Sequence, residues 1–154
     1  MFVLAVEIAG VDMAELTQLA DRLFPPAPKS VSEARAFVID ELYQWGPPDR
    51  LDDILLCVSE LATNAVLHSG PENHAYRVRL ETGSEEVRIE VDDRGSGTPH
   101  VRTDHDDTHG RGLLLVAGIA DDWGVTTHRV GKSVWATFEV GSWMPALLNV
   151  IPPP

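Results

Sequence analysis

Glu60-Leu61-Ala62-Thr63-Asn64-Ala65-Val66-Leu67-His68 stands in the middle of a long helical stretch. Glu60, Asn64 and His68 recur every four residues. At about 3.6 residues per turn they fall along one helix face. Leu51, Ile54, Leu55, Val58, Leu61, Ala62, Ala65 and Val66 form the apolar face beside them. A carboxylate, an amide and an imidazole in line with a core face have two readings. They are a solvated polar stripe, or they look into a cleft. Two glycine-bearing segments downstream favour the cleft: Asp93-Arg94-Gly95-Ser96-Gly97 and Gly110-Arg111-Gly112-Leu113.

Upstream, Ser30-Val31-Ser32-Glu33 has the pattern of a capping box and predicts a helix to about Trp45. Val31, Ala34, Phe37, Val38 and Leu42 are its buried stripe, and Gly46-Pro47-Pro48 ends it. Asp49 is then the expected cap of the helix that carries Glu60, which stops near His68. Residues 2–8 alternate loosely, as a strand does. Residues 12–24 carry Met13, Leu16, Leu19, Ala20 and Leu23 at helical spacing, which predicts a short amphipathic helix. Pro25-Pro26-Ala27-Pro28 follows, either as a hinge or as a loop within one domain. The chain therefore divides into an N-terminal appendage (1–24), a main domain (25–140) and an irregular tail (141–154).

Downstream, residues 75–81 and 86–92 alternate around Gly83-Ser84 and predict an antiparallel hairpin. Its second strand runs directly into Asp93. Residues 98–109 are almost wholly polar, long for a connection inside a domain, and have the character of a lid. His100, His105 and His109 lie among its acids, but their spacing matches no strong ligand motif. An apolar helix over 112–120 and a second hairpin over 123–140, turning at Gly131-Lys132, complete the domain. The expected architecture is α+β: a two-layer sandwich with helices on one face of a mixed, mostly antiparallel sheet.

Bulk properties narrow the function. The chain has 154 residues and a net charge of −12. Phosphate backbones and anionic lipid are held by cations, so direct nucleic-acid or membrane binding is not expected. No apolar run approaches the eighteen or so residues of a span, and residues 1–9 lack a basic leader. A cytoplasmic protein is the expectation. Cys57 is the single cysteine, so neither an intrachain disulfide nor a Cys-rich zinc site is available.

Each segment has a job in nucleotide chemistry. A strand ending in Asp93 can place a carboxylate at a pocket floor, to accept from an exocyclic amino group. Gly95 and Gly97 let backbone approach a flat base, although Asp-Arg-Gly-Ser-Gly is also a good turn. Gly110-Arg111-Gly112 at a helix start offers N–H groups to phosphates, with Arg111 adding charge; a plain loop-to-helix junction is the alternative. Asn64 can give an amide oxygen to Mg²⁺, which keeps water and phosphate oxygens as its other ligands. Glu60, one turn earlier, can orient a hydroxyl or water for attack on a γ-phosphate.

In this order the segments resemble the Bergerat-fold ATP-binding domains of the histidine-kinase-like ATPase superfamily. The Glu60–His68 run, Gly110-Arg111-Gly112-Leu113, Ala120-Asp121-Asp122-Trp123-Gly124-Val125 and Gly131-Lys132-Ser133-Val134-Trp135-Ala136 look like its small bacterial anti-sigma-factor serine-protein kinases. The resemblance covers about residues 24–140. It implies ATP and Mg²⁺ as cofactors, Glu60 as catalytic base and Asn64 as metal ligand. It also implies Asp93, Gly95 and Gly97 around adenine, and Gly110, Arg111 and Gly112 on phosphate. His68 matches the motif too, with packing and hydrogen bonding the favoured role and catalysis the alternative. The implied partners are a sigma factor and a STAS-type anti-sigma-factor antagonist, phosphorylated on serine; homodimers are common in the family. The acid-rich lid, with Asp104, Asp106 and Asp107, departs from a triphosphate-holding pattern. It keeps open a nucleotide-responsive binding protein without kinase activity.

Overall fold

Alternation decides the sheet. Tyr76, Val78, Leu80 and Thr82 are buried on one strand, and Val87, Ile89, Val91 and Asp93 on the next. Side chains of opposite parity, Arg77, Arg79 and Glu81 against Asp92, Glu90 and Arg88, face the other way as cross-strand pairs of opposite charge. The computed structural model describes residues 18–45, 48–68, 74–83, 85–94 and 107–141, with backbone alone at 45 and 107–111. Its elements run β1 (Gln18–Phe24), α1 (Ser30–Trp45), α2 (Leu51–Leu67), β2 (Tyr76–Thr82), β3 (Glu86–Asp93), α3 (Asp107–Ile119), β4 (Asp122–Thr127) and β5 (Lys132–Glu139). The sheet order is β1-β2-β3-β5-β4. Every described pairing is antiparallel, where the sequence left room for a parallel one.

The helices lie on the apolar face, as the two-layer expectation requires. α2 crosses β2, β3 and β5 and is flanked by α1 and α3. Ile54, Val58, Leu61 and Ala62 of α2 are buried against the sheet residues Val78, Val87, Ile89, Ala136 and Phe138. Fully burying such side chains stabilises by roughly 1.5–3 kcal/mol each. An aromatic group closes the β1 end, with Phe24 ring centroids 6.0 Å from Phe37 and 5.7 Å from Tyr76.

Three local expectations are corrected. Residues 18–24 are a strand, not the end of a helix. β1 pairs with β2 along its whole length. Its period-2 set, Ala20 and Phe24, meets the core, while Leu19 and Leu23 of the supposed helical stripe are 58% and 59% exposed. Sheet pairing overrides a helical spacing this short. The rest of the N-terminal expectation, residues 1–17, and the tail beyond Gly141 lie outside the described residues. The capping box is the second correction. Ser30 is buried, and its hydroxyl is engaged by the Tyr76 hydroxyl at 2.6 Å. The third is at α2, where the N-cap is Arg50 rather than Asp49, and Arg50 makes no side-chain cap bond. Its guanidinium instead donates to Asp121 and to the Ile119 carbonyl, and lies over the Phe138 ring. Asp121 in turn accepts from the Glu139 N–H. This clasp ties the start of α2 to the end of α3 and the end of β5.

On the outer face, Trp135 lies across Gly124 of β4, where a Cβ would come within 2.6 Å of the indole. Arg88 of β3 covers the same ring at 4.4 Å from its centroid.

Gly131 turns the β4–β5 hairpin at φ 83° and presses on β3, so a Cβ there would meet the Asp93 carbonyl oxygen at 2.0 Å. Gly131→Ala therefore costs at least about 2 kcal/mol, from the left-handed conformation and the clash together. Urea unfolding measures it, and an unchanged midpoint would contradict the close approach. Burial pushes the Cys57 thiol up to about 12, with Glu60 adding its charge in the same direction. Since the thiolate is the reactive form, dithionitrobenzoate leaves the native chain unlabelled at pH 8 and labels it once unfolded. Rapid labelling of native protein would contradict that burial.

Candidate functional site

Glu60, Asn64 and His68 are each half-buried along one edge of α2, between its apolar face and water. The reason is their four-residue period, which drifts only slightly around the helix. α3 packs beside that edge. Its closest approach is at Gly112, where a Cβ would stand 3.1 Å from Glu60 Oε2 and 3.9 Å from the Asn64 amide nitrogen. A side chain at 112 would fill the space in front of the carboxylate. Gly112 of the second glycine motif is thus brought onto the polar stripe.

α3 begins at Asp107, five residues before the start read from its apolar pattern. Gly110, Arg111 and Gly112 therefore lie within its first two turns. Within the helix, the backbone N–H groups without an intrahelical partner are those of residues 107–109. The positive end of the helix dipole lies at the same end. The side chain of Arg111 is outside the described residues, as are Gly95, Gly97 and residues 98–106.

Asp93 is placed separately, and the cavity it borders is lined by neither Glu60 nor Asn64. Asp93 ends β3 in the inward phase of the strand and is 4% exposed. Directly across the ladder is Lys132, the first residue of β5 and only 9% exposed. Burial pulls the Lys132 ammonium below its ordinary range, and the charge of Asp93 works against that pull. Gly131 braces the Asp93 backbone from the same hairpin. Behind it, on the outer face, Ser133 Oγ donates to Asp92 Oδ1 at 2.6 Å and pairs with His128 Nε2 at 2.6 Å. The β4–β5 hairpin thus fixes the end of β3 through both its strand and its turn.

Reading the sequence singled out Glu60, Asn64, Asp93 and Gly112 but took Lys132 as part of a hairpin turn and of a family-like stretch, with no role of its own. The signal for it was present: counting back by twos from the inward Phe138, Ala136 and Val134 lands on Lys132. The Arg50–Asp121 clasp carried no such signal, because its partners are 71 positions apart.

The donor set of an amide and a carboxylate on one helix edge suits a hard cation completed by phosphate oxygens and water. Among the described residues no group of three or more His, Cys, Asp or Glu is arranged to hold a metal alone. No helix among them is long and apolar enough to cross a membrane.

Comparison with known proteins agrees with the fold. The crystal structure of the RsbU and RsbW domains of Rv1364c from Mycobacterium tuberculosis superposes with a TM-score of 0.63 at 19% identity. The match covers 80% of this chain and 32% of that one, so this chain spans about a third of its length. A histidine kinase domain from the blue-light activated histidine kinase EL346 of Erythrobacter litoralis matches at 21% identity and TM-score 0.46, over 90% of this chain and 70% of that one. No curated protein matches. The family model described as the histidine kinase-like ATPase domain matches residues 24–138. With β2 to β4, the three helices and both glycine motifs inside that match, the chain belongs to the histidine kinase-like ATPase domain family.

Proposed function

We propose that this chain is a cytoplasmic, ATP-dependent protein serine/threonine kinase that acts on an anti-sigma-factor antagonist and sequesters a sigma factor. One observation carries the reading. The Glu60 carboxylate and the Asn64 amide, a turn apart, stand before a glycine whose missing side chain leaves the space in front of them open. A helix edge with no chemistry to perform would have no need of that gap. Family membership supplies the ATP; the anti-sigma assignment rests on the motif resemblance described above.

The roles follow from residue chemistry. Asn64 gives its amide oxygen to Mg²⁺, which when bound offsets the phosphate charge. Glu60 accepts the proton of the attacking serine hydroxyl. Asp93 accepts from the exocyclic amino group of adenine. The open N–H groups at the start of α3, with Gly110, Arg111 and Gly112, face the phosphates, and Gly95 and Gly97 line the base. His68 supports the stripe rather than the chemistry.

The acids Asp104, Asp106 and Asp107 favour a second reading, a nucleotide-responsive binder that holds its partner without phosphorylating it. Transfer of labelled phosphate to the cognate antagonist separates the two. In the kinase reading, Glu60→Ala lowers transfer by about 10²–10⁴-fold while ATP still binds. Normal transfer by the variant would refute the base assignment. Calorimetric binding of ATP and Mg²⁺ without any transfer by the natural protein would select the binder. Gly112→Ala tests the gap itself. Alanine is the better helix former by up to about 1 kcal/mol, so thermal stability holds or rises. Transfer nevertheless falls by roughly tenfold or more, because Glu60 must move aside. A variant as active as the natural protein would show that the gap has no function.

A further inference from the structure

The seam between α2 and α3 is pinned at two places. Gly112 meets Glu60 and Asn64 at one, and the Ile119 carbonyl meets the Arg50 guanidinium at the other. Leu56 and Leu115 lie between those contacts, one on each helix, and are 37% and 38% exposed. Leu114, beside Leu115, is 64% exposed. Scattered single leucines are ordinary on a protein surface. Leucines from two packed helices, held between the same fixed points, offer a shared apolar surface that a further side chain can cover.

The clasp end of this seam is also where the chain leaves the sheet. Val140 is buried, and its N–H donates to the Glu85 carbonyl. The Glu139 N–H donates to Asp121, the residue that also holds Arg50. Gly141 then takes φ 66°, in the left-handed region, and the strand direction ends there. Residues 142–154 follow with no charged side chain among them, in a chain where 23% of residues are charged. That run carries Trp143, Met144, Leu147, Leu148, Val150 and Ile151, whose apolar surface is costly to leave in water. Residues 50 to 56 rise only about 9 Å along α2. Residues 141 to 147 extend to about 20 Å, enough to bring Leu147 and Leu148 to Leu56 and Leu115. The exposed Leu19 and Leu23 are less well placed. They are on β1, three strands from β5 and on the face turned away from the helices. Residues 1–17 join the fold at that far strand, so the C-terminal run is the segment that leaves beside the seam.

We propose that the chain's own residues 143–151 cover the α2–α3 seam, with Leu147 and Leu148 against Leu56 and Leu115. The inference is independent of the nucleotide chemistry proposed above. Its consequence for that site is mechanical. Leu115 is about one turn from Gly112, so a covered seam holds α3 against α2 where the glycine approaches Glu60.

Thiol labelling of the full chain tests it. Cys57 is buried and does not label in the native fold, so one introduced cysteine reports alone. Leu115→Cys reads the seam, and Leu19→Cys reads the outer face of β1. Each is compared with the same chain carrying Leu147→Asp and Leu148→Asp, which make the tail unfit for an apolar contact. With both tail substitutions present, dithionitrobenzoate labels Leu115→Cys about tenfold faster, because cover no longer limits access. Leu19→Cys labels at an unchanged rate. Leu56→Cys gives the seam reading from the other helix should Leu115→Cys fold poorly. An unchanged rate at the seam overturns the proposal. So does equal acceleration at Leu19→Cys, which is general loosening rather than loss of cover. Protein concentration separates the tail of the same chain from that of a second copy. Protection that stays constant on dilution supports the proposal, and protection lost on dilution overturns it.

Discussion

α2 has to satisfy two surfaces at once, and most of the molecule follows from that. Its apolar side covers β2, β3 and β5 and forms the centre of the core. Its polar edge, carrying Glu60, Asn64 and His68, meets α3 through a glycine. A side chain at 112 would crowd the Glu60 carboxylate; a polar edge without α3 beside it would be only a wet surface. Close approach turns an ordinary amphipathic helix into the wall of a site. The charge of Glu60 reaches inward as well, since it acts on the buried Cys57 thiol in the same direction as burial.

The pairing of α2 with α3 is set from its other end. Arg50 opens α2, and Asp121 with the Ile119 carbonyl closes α3. With Gly112 near Glu60 and Ile119 near Arg50, the helices run in opposite directions. The clasp is partly exposed, and its ion pair contributes little by itself. Its effect is geometric. Bonds from one guanidinium to a carboxylate and a carbonyl fix direction as well as distance. They define how α3 leaves the fold before its first turns reach the polar edge.

Strong periodicity made much of this legible in the sequence. The β2–β3 hairpin, the apolar face of α2 and the glycine turn at 131 each repeat or punctuate a local pattern, and a pattern read locally is enough for them. The failures share a cause. Leu19 and Leu23 fit a helix when counted four apart, but the partner that makes 18–24 a strand is β2, some sixty positions on. Ser30 fits a cap until Tyr76 arrives to take its hydroxyl. At the site, Glu60 and Asn64 were readable because one helix carries both. Lys132 was not, because its meaning comes from the residue across the ladder. A single sequence states what each position is but not what faces it.

The indole of Trp135 lies between the Arg88 guanidinium and the flat backbone of Gly124, on the side of the sheet away from the helices. Lys132 is on the same strand, three residues earlier and turned to the opposite side, about 10 Å along the chain. The strand is thus a bar with a charged group on its inward side and a fluorophore on the back wall. Light emitted by that ring reports the place where β3, β4 and β5 meet, on the face away from the helices, and so offers an optical gauge of the sheet's own response.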